Sequence, residues 1–79
     1  MTYHVLYFGL LGDRRGLPEE SVASSAITAD DLYAELESCH QLGLDPSAVR
    51  AAVNDVYVPW NHPLADGDTI AFLPPMSGG

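Results

Sequence analysis

The sequence contains no lysine. Its only basic side chains are Arg14, Arg15 and Arg50, set against eleven acidic ones for a formal net charge of −8. Three arginines cannot build a phosphate-tracking surface, which argues against nucleic acid as a partner. An anionic membrane surface would repel such a chain, and no apolar run reaches the roughly 18 residues of a membrane span. A basic protein groove is its natural complement. The single cysteine, Cys39, permits no internal disulfide and no cysteine-rich metal site, and it fits a reducing cytoplasm. His4, His40 and His62 show no metal-ligand spacing. The apolar start, Val5 to Leu11, lacks a basic n-region and runs into Asp13, Arg14 and Arg15, so it reads as a strand and not as a signal peptide. The 79 residues, 47% apolar and 18% charged, support one small core and not a disordered chain. So short a domain has little room for a walled active site of its own.

Residues 3–10, Tyr-His-Val-Leu-Tyr-Phe-Gly-Leu, are apolar at both parities, the pattern of a strand buried on both faces at the centre of a sheet. Gly12, Asp13, Gly16 and Pro18 then mark a turn. Residues 20–27 read as a second strand suited to a sheet edge. Thr28-Ala29-Asp30-Asp31 opens a helix, with Thr28 as the cap and two aspartates at the positive end of the macrodipole. Leu32, Leu36 and Cys39 form its apolar stripe, which gives Cys39 a buried packing role in place of a reactive one. Gly43 suits the left-handed position beyond the helix, with Leu44 folding back on Cys39, so the helix spans about residues 29–42. Val49, Ala51 and Val53 alternate with polar or small neighbours, Asn54-Asp55 is a hairpin turn, and Val56–Val58 return. Pro59 stops that pairing. Asp66-Gly67-Asp68 is read as a turn and not a calcium loop. Thr69–Leu73 is the last strand, with Ile70 and Phe72 on one face. The order β-β-α-β-β-β describes an α+β domain, one helix on a mixed sheet.

The closing residues are Leu73-Pro74-Pro75-Met76-Ser77-Gly78-Gly79. Two prolines end the strand in a stiff, extended segment. Met76 offers an apolar anchor, and two glycines make a terminus narrow enough for a tight channel. The last group is an uncrowded carboxylate, which adenylation by another enzyme would turn into an acyl donor. Ala51-Ala52-Val53-Asn54, followed by His62-Pro63-Leu64-Ala65-Asp66-Gly67-Asp68-Thr69-Ile70-Ala71-Phe72-Leu73 and the Pro-Pro-Met-Ser-Gly-Gly end, resembles the family of small, sulfur-carrying subunits of molybdopterin synthase. Val5-Leu6-Tyr7-Phe8-Gly9, with Arg14, Arg15 and Gly16, is similar to that family's first strand and connecting turn. Pro59-Trp60 is particular to this chain.

The resemblance implies a β-grasp, ubiquitin-like fold over residues 1–73, its first and last strands parallel and adjacent, with residues 74–79 as a flexible sulfur-carrying tail. It implies that Gly79 is adenylated by an E1-like ATP-dependent enzyme and converted to a thiocarboxylate. The tail, through Pro75, Met76, Ser77 and Gly78, would thread into the large catalytic subunit and give sulfur to cyclic pyranopterin monophosphate. Two small and two large subunits would form the assembly, the catalytic pocket lying on the large one. The carrier itself would bind no cofactor, ATP being used by the activating enzyme. Phe8, Tyr57 and Leu73 match the family's docking surface, although Phe8 also suits the core. Alternatives are a sulfur carrier for thiamine or another thiolated product, a ubiquitin-like protein modifier, or a plain interaction domain.

Overall fold

The computed structural model describes residues 1–75. Along the chain lie β1 (Thr2–Tyr7), α1 (Leu10–Arg15), β2 (Glu19–Ala23), α2 (Ala29–His40), a single 3₁₀ turn at Pro46–Ala48, β3 (Arg50–Val53), β4 (Val56–Val58) and β5 (Thr69–Leu73). The strands form one sheet in the order β2-β1-β5-β3-β4. β1 and β5 run parallel, Val5 opposite Ile70 and Tyr7 opposite Phe72, and every other neighbour is antiparallel. This is the β-grasp arrangement, with the first and last strands side by side and the second strand at an edge.

Strand alternation makes the core. Tyr3, Val5 and Tyr7 of β1, Ile70 and Phe72 of β5, and Ala51 and Val53 of β3 are buried on one face. α2 closes that face with Ala29, Leu32, Tyr33 and Leu36, one helical stripe at i, i+3, i+4 and i+7. The Asp31 N–H donates to the Thr28 hydroxyl oxygen at 3.4 Å and to the Asp30 carboxylate at 2.9 Å, so this helix starts where capping chemistry places it. Phe72 sits among aromatic rings. Tyr33 meets it edge-on at 5.2 Å, and Trp60 stacks on it at 6.0 Å. The Trp60 N–H donates to the Pro46 carbonyl, and the Tyr33 hydroxyl to that of Leu44, which tie the aromatic cluster to the loop after α2.

Five expectations change. First, β1 stops at Tyr7, and only its core face is fully buried; His4 and Leu6 on the outer face are half-buried, because a single helix layer covers one side of the sheet. Second, Leu10–Arg15 is helical, not a turn. The Gly9 carbonyl accepts from the N–H groups of Gly12 and Asp13, and Leu11 drops into the core. Third, α2 ends at His40 with Gln41 in the left-handed region (φ 51°), two residues before Gly43. Fourth, Cys39 is exposed. It lies at the margin of the buried stripe in the last turn, and Leu42 fills the core beyond the helix end instead. The second strand is also shorter than read, ending at Ala23.

One polar cluster links α1, β1 and β2. Arg15 grips the Glu20 carboxylate with two hydrogen bonds of 2.8 Å, and the Tyr7 hydroxyl donates to the same carboxylate at 2.7 Å. The hydrogen bonds from Arg15 hold the Glu20 carboxyl below its usual value of 4.5, and burial pushes the Tyr7 hydroxyl up. A depressed carboxyl stabilises the fold above its unfolded value, and that contribution disappears as pH falls through the lower folded one. Glu20→Gln should therefore cost about 2 kcal/mol at pH 7. The parent and variant should converge as pH falls below 4.5 and through the depressed Glu20 value, as read by urea unfolding across that window.

Candidate functional site

The distinctive local chemistry of this fold lies where β5 ends. Pro74 has no N–H, so the ladder cannot continue past Leu73. The last rung is the Phe8 N–H donating to the Phe72 carbonyl at 3.1 Å. Gly9 follows at φ 54° and ψ −129°, a conformation that side-chain-bearing residues rarely adopt. A Cβ built on Gly9 would stand 3.1 Å from the Pro74 ring. The turn from β1 into α1 is therefore cut back to let the outgoing chain pass. On the other side of the exit is an open cleft of about 370 Å³, walled by Ser47–Arg50 and Tyr57 and by Leu73–Pro75. The exit is thus held between Gly9 and this cleft.

The opposite end of β5 is fixed by the Asn and Asp-Gly-Asp residues. The Asn54 side chain donates to the Asp68 carboxylate at 3.1 Å and accepts from the Thr69 N–H at 3.0 Å. Asp68 also accepts from the Ala65 N–H, and Asp66 from the Thr2 N–H. Asn54 and Asp55 both have positive φ, as the tight β3–β4 hairpin requires. These polar residues are a clamp on the start of the strand, far from its exit.

Phe8 is 44% exposed and Tyr57 64% exposed. Leu73 is half-buried and Pro75 exposed. Tyr57 and Leu73 line the same cleft, while Phe8 stands on the β1 side of the exit. Tyr57, Ala52, Ala71 and Leu6 form one transverse row on the face away from α2, with two alanines as its low middle. Met76, Ser77, Gly78 and Gly79 lie outside the described residues. Among the described residues no polar or charged residue is buried, and no three His, Cys, Asp or Glu side chains converge as metal ligands. The arrangement suits presenting a peptide arm beside exposed aromatic anchors. Sequence reasoning passed over Gly9 and Arg50. A glycine directly after an apolar strand was the available signal for the first; for the second, residue order offered only an isolated arginine at the start of a short apolar strand.

Residues 5–79 match the model of the ThiS family. The chain is 35% identical over 78 residues to the molybdopterin synthase sulfur carrier subunit of Escherichia coli, covering 95% of this chain and 96% of that one. It superposes with a TM-score of 0.70 and 30% identity on a solved protein–protein complex of subunits 1 and 2 of the molybdopterin-converting factor of Helicobacter pylori, with full coverage of both chains. SAMP1 of Haloferax volcanii gives a TM-score of 0.81 at 21% identity, again over the whole of both chains, and shows the shared fold.

Gly9→Ala should destabilise the fold by about 1–2 kcal/mol, from strain at positive φ and from pressure on Pro74. Repeating the change in a Pro74→Ala background removes the ring it meets. Urea unfolding of the four proteins should give a coupling of at least about 0.5 kcal/mol. Strictly additive effects would show that Gly9 does not hold Pro74.

Proposed function

The chain belongs to the ThiS family, and on that premise we propose that it is a sulfur carrier for molybdenum cofactor synthesis. The observation that carries this reading is the 35% identity, over nearly all of both chains, with the sulfur carrier subunit of Escherichia coli molybdopterin synthase. The exit geometry is consistent with it, because a donor that works through its terminus needs a directed arm and a docking face and no pocket.

In the proposed cycle an E1-like enzyme joins the Gly79 carboxylate to the adenylyl group of ATP, releasing pyrophosphate. A hydrosulfide equivalent then displaces AMP, leaving a thiocarboxylate at Gly79. Adenylation supplies the leaving group that a bare carboxylate lacks. The arm, through Pro75, Met76, Ser77 and Gly78, enters the large subunit and delivers sulfur to cyclic pyranopterin monophosphate. The large subunit supplies the acids, bases and cations that reaction needs. ATP is consumed by the activating enzyme, and the carrier holds no cofactor of its own. Phe8, Tyr57 and Leu73 form the contact with the large subunit, two carriers serving a pair of large subunits. The Helicobacter pylori structure, a complex of subunits 1 and 2, supports a partner of this kind. The net charge of −8 favours a basic partner surface and speeds the encounter at low salt.

Intact-mass measurement after incubation with ATP, the activating enzyme and a sulfur source should show one oxygen-for-sulfur exchange, located on the C-terminal peptide. Deleting Gly79 should leave unfolding and large-subunit affinity unchanged within about twofold, since the docking face is intact, and should abolish molybdopterin formation. Undiminished synthesis by the deletion variant would refute the mechanism. Exclusive binding to a thiazole synthase would move the chain to the thiamine branch.

A further inference from the structure

The three arginines are not equivalent. Arg15 commits the Nε–Nη2 edge of its guanidinium to both oxygens of Glu20, and Arg14 donates to the Leu42 carbonyl just beyond α2. Among the described residues Arg50 has no oxygen partner. Its guanidinium carbon lies 6.0 Å from the centre of the Tyr57 ring. An arginine facing an aromatic ring keeps its in-plane N–H donors free for a planar oxyanion. Arg50 pairs with Leu73 in the sheet and lines the cleft beside the outgoing chain.

That cleft is anomalous in charge. The sequence has eleven carboxylates, yet none lines it, and Arg50 is its only charged side chain. Leu73, Pro74 and Pro75 make up its other wall, and the two prolines offer no N–H donor. An ion pair formed against apolar walls, with water displaced by a docked partner, is worth more than one in open solvent.

We infer that this cleft anchors a carboxylate side chain of the protein that receives the arm, with Arg50 as its bidentate counter-ion. The inference rests on the reading of the chain as a carrier. It deepens that reading by naming the complement of one residue. Location selects the occupant: a protein that takes the arm must close around its root, and the cleft is that root. The sign of the charge gives the contact its use. A uniformly acidic carrier on a basic surface could dock in many rotations of similar energy. One reversed pair, at the point where the arm leaves, fixes the rotation that aims the arm.

The test is the direction of change in affinity. Generic attraction between an acidic carrier and a basic partner predicts that removing a positive charge tightens binding or leaves it alone. The anchor predicts the reverse. Dissociation constants would be measured for the parent, Arg50→Gln and Arg50→Lys against the large synthase subunit and against the activating enzyme, with thermal unfolding as the folding control. Arg50→Gln should bind the large subunit at least about tenfold more weakly. Arg50→Lys should recover only part of the loss, because an ammonium lacks the planar fork. If Arg50→Gln binds the large subunit as tightly as the parent or more so, whether because Arg50 faces water or holds the chain's own carboxylate, the anchor is overturned whatever the activating enzyme shows, while the carrier reading stands. A parent that binds neither protein overturns both.

Discussion

The parallel pairing of β1 with β5 is the constraint from which the rest of the molecule follows. It joins residues 4–7 to residues 69–72, the two ends of the described chain. Closing a loop of that length costs about 3–4 kcal/mol in chain entropy. The side chains that meet across the pair, Val5, Ile70, Tyr7 and Phe72, are among the most deeply buried in the protein and offset that cost. Direction matters as much as adjacency. Because the strands run the same way, the end of β1 lies beside the end of β5. Phe8 and Gly9 therefore flank Leu73 and Pro74. An antiparallel pair would bring Thr2 to that place, and the notch at Gly9 would serve nothing.

The polar residues at the other end of β5 have their meaning within the same constraint. A slip of one residue in β5 would turn Ile70 and Phe72 toward the outer face and move the exit by about 3.3 Å. Asn54 and Asp68 oppose that slip by pinning the strand's start to the β3–β4 hairpin and to the Ala65 amide. Asp66 does the same for the start of β1 through the Thr2 N–H. The residues that make the sequence resemble its family thus act at a distance from the arm, by setting the register that aims it.

Much of this could be read from residue order alone, and the misses share a physical cause. Thr28 with its aspartates marked the start of α2, alternation marked Thr69–Leu73, and Asn54-Asp55 marked the hairpin. The strand neighbours came from the resemblance, since alternation carries no information about which strands pair. α1 was hidden because six residues with an internal glycine show no helical period; Gly12 is required there since a Cβ would meet the Tyr7 carbonyl oxygen at 2.9 Å. Cys39 was misplaced because a stripe drawn from Leu32 and Leu36 extends past the end of the sheet. Tyr33 in the core and the half-buried Trp60 packed against it went unnoticed because their partner is Phe72, far away in sequence. At the site, a surface role for Phe8 and Tyr57 came from the resemblance, while residue order alone suited Phe8 equally to the core; the Gly9 contact and the cleft beside Arg50 exist only once three separate segments converge.

A chain this small is marginally stable, so large apolar groups left in solvent call for a reason. Burying an aromatic side chain contributes about 1.5–3 kcal/mol. Phe8 and Tyr57 forgo much of that on the two sides of one strand exit, while Tyr33, Phe72 and Trp60 are packed together in the core. Their place on the two sides of the exit fits the docking role proposed for them. The two prolines extend the argument to the arm. Ordering a free residue costs about 1–2 kcal/mol, and threading a flexible tail would charge that cost at each docking. Proline fixes φ before a partner arrives, and the missing side chain of Gly9 leaves room for the first ring. On the carrier reading proposed above, the direction set at the exit by the two prolines is the direction an inserted arm would follow.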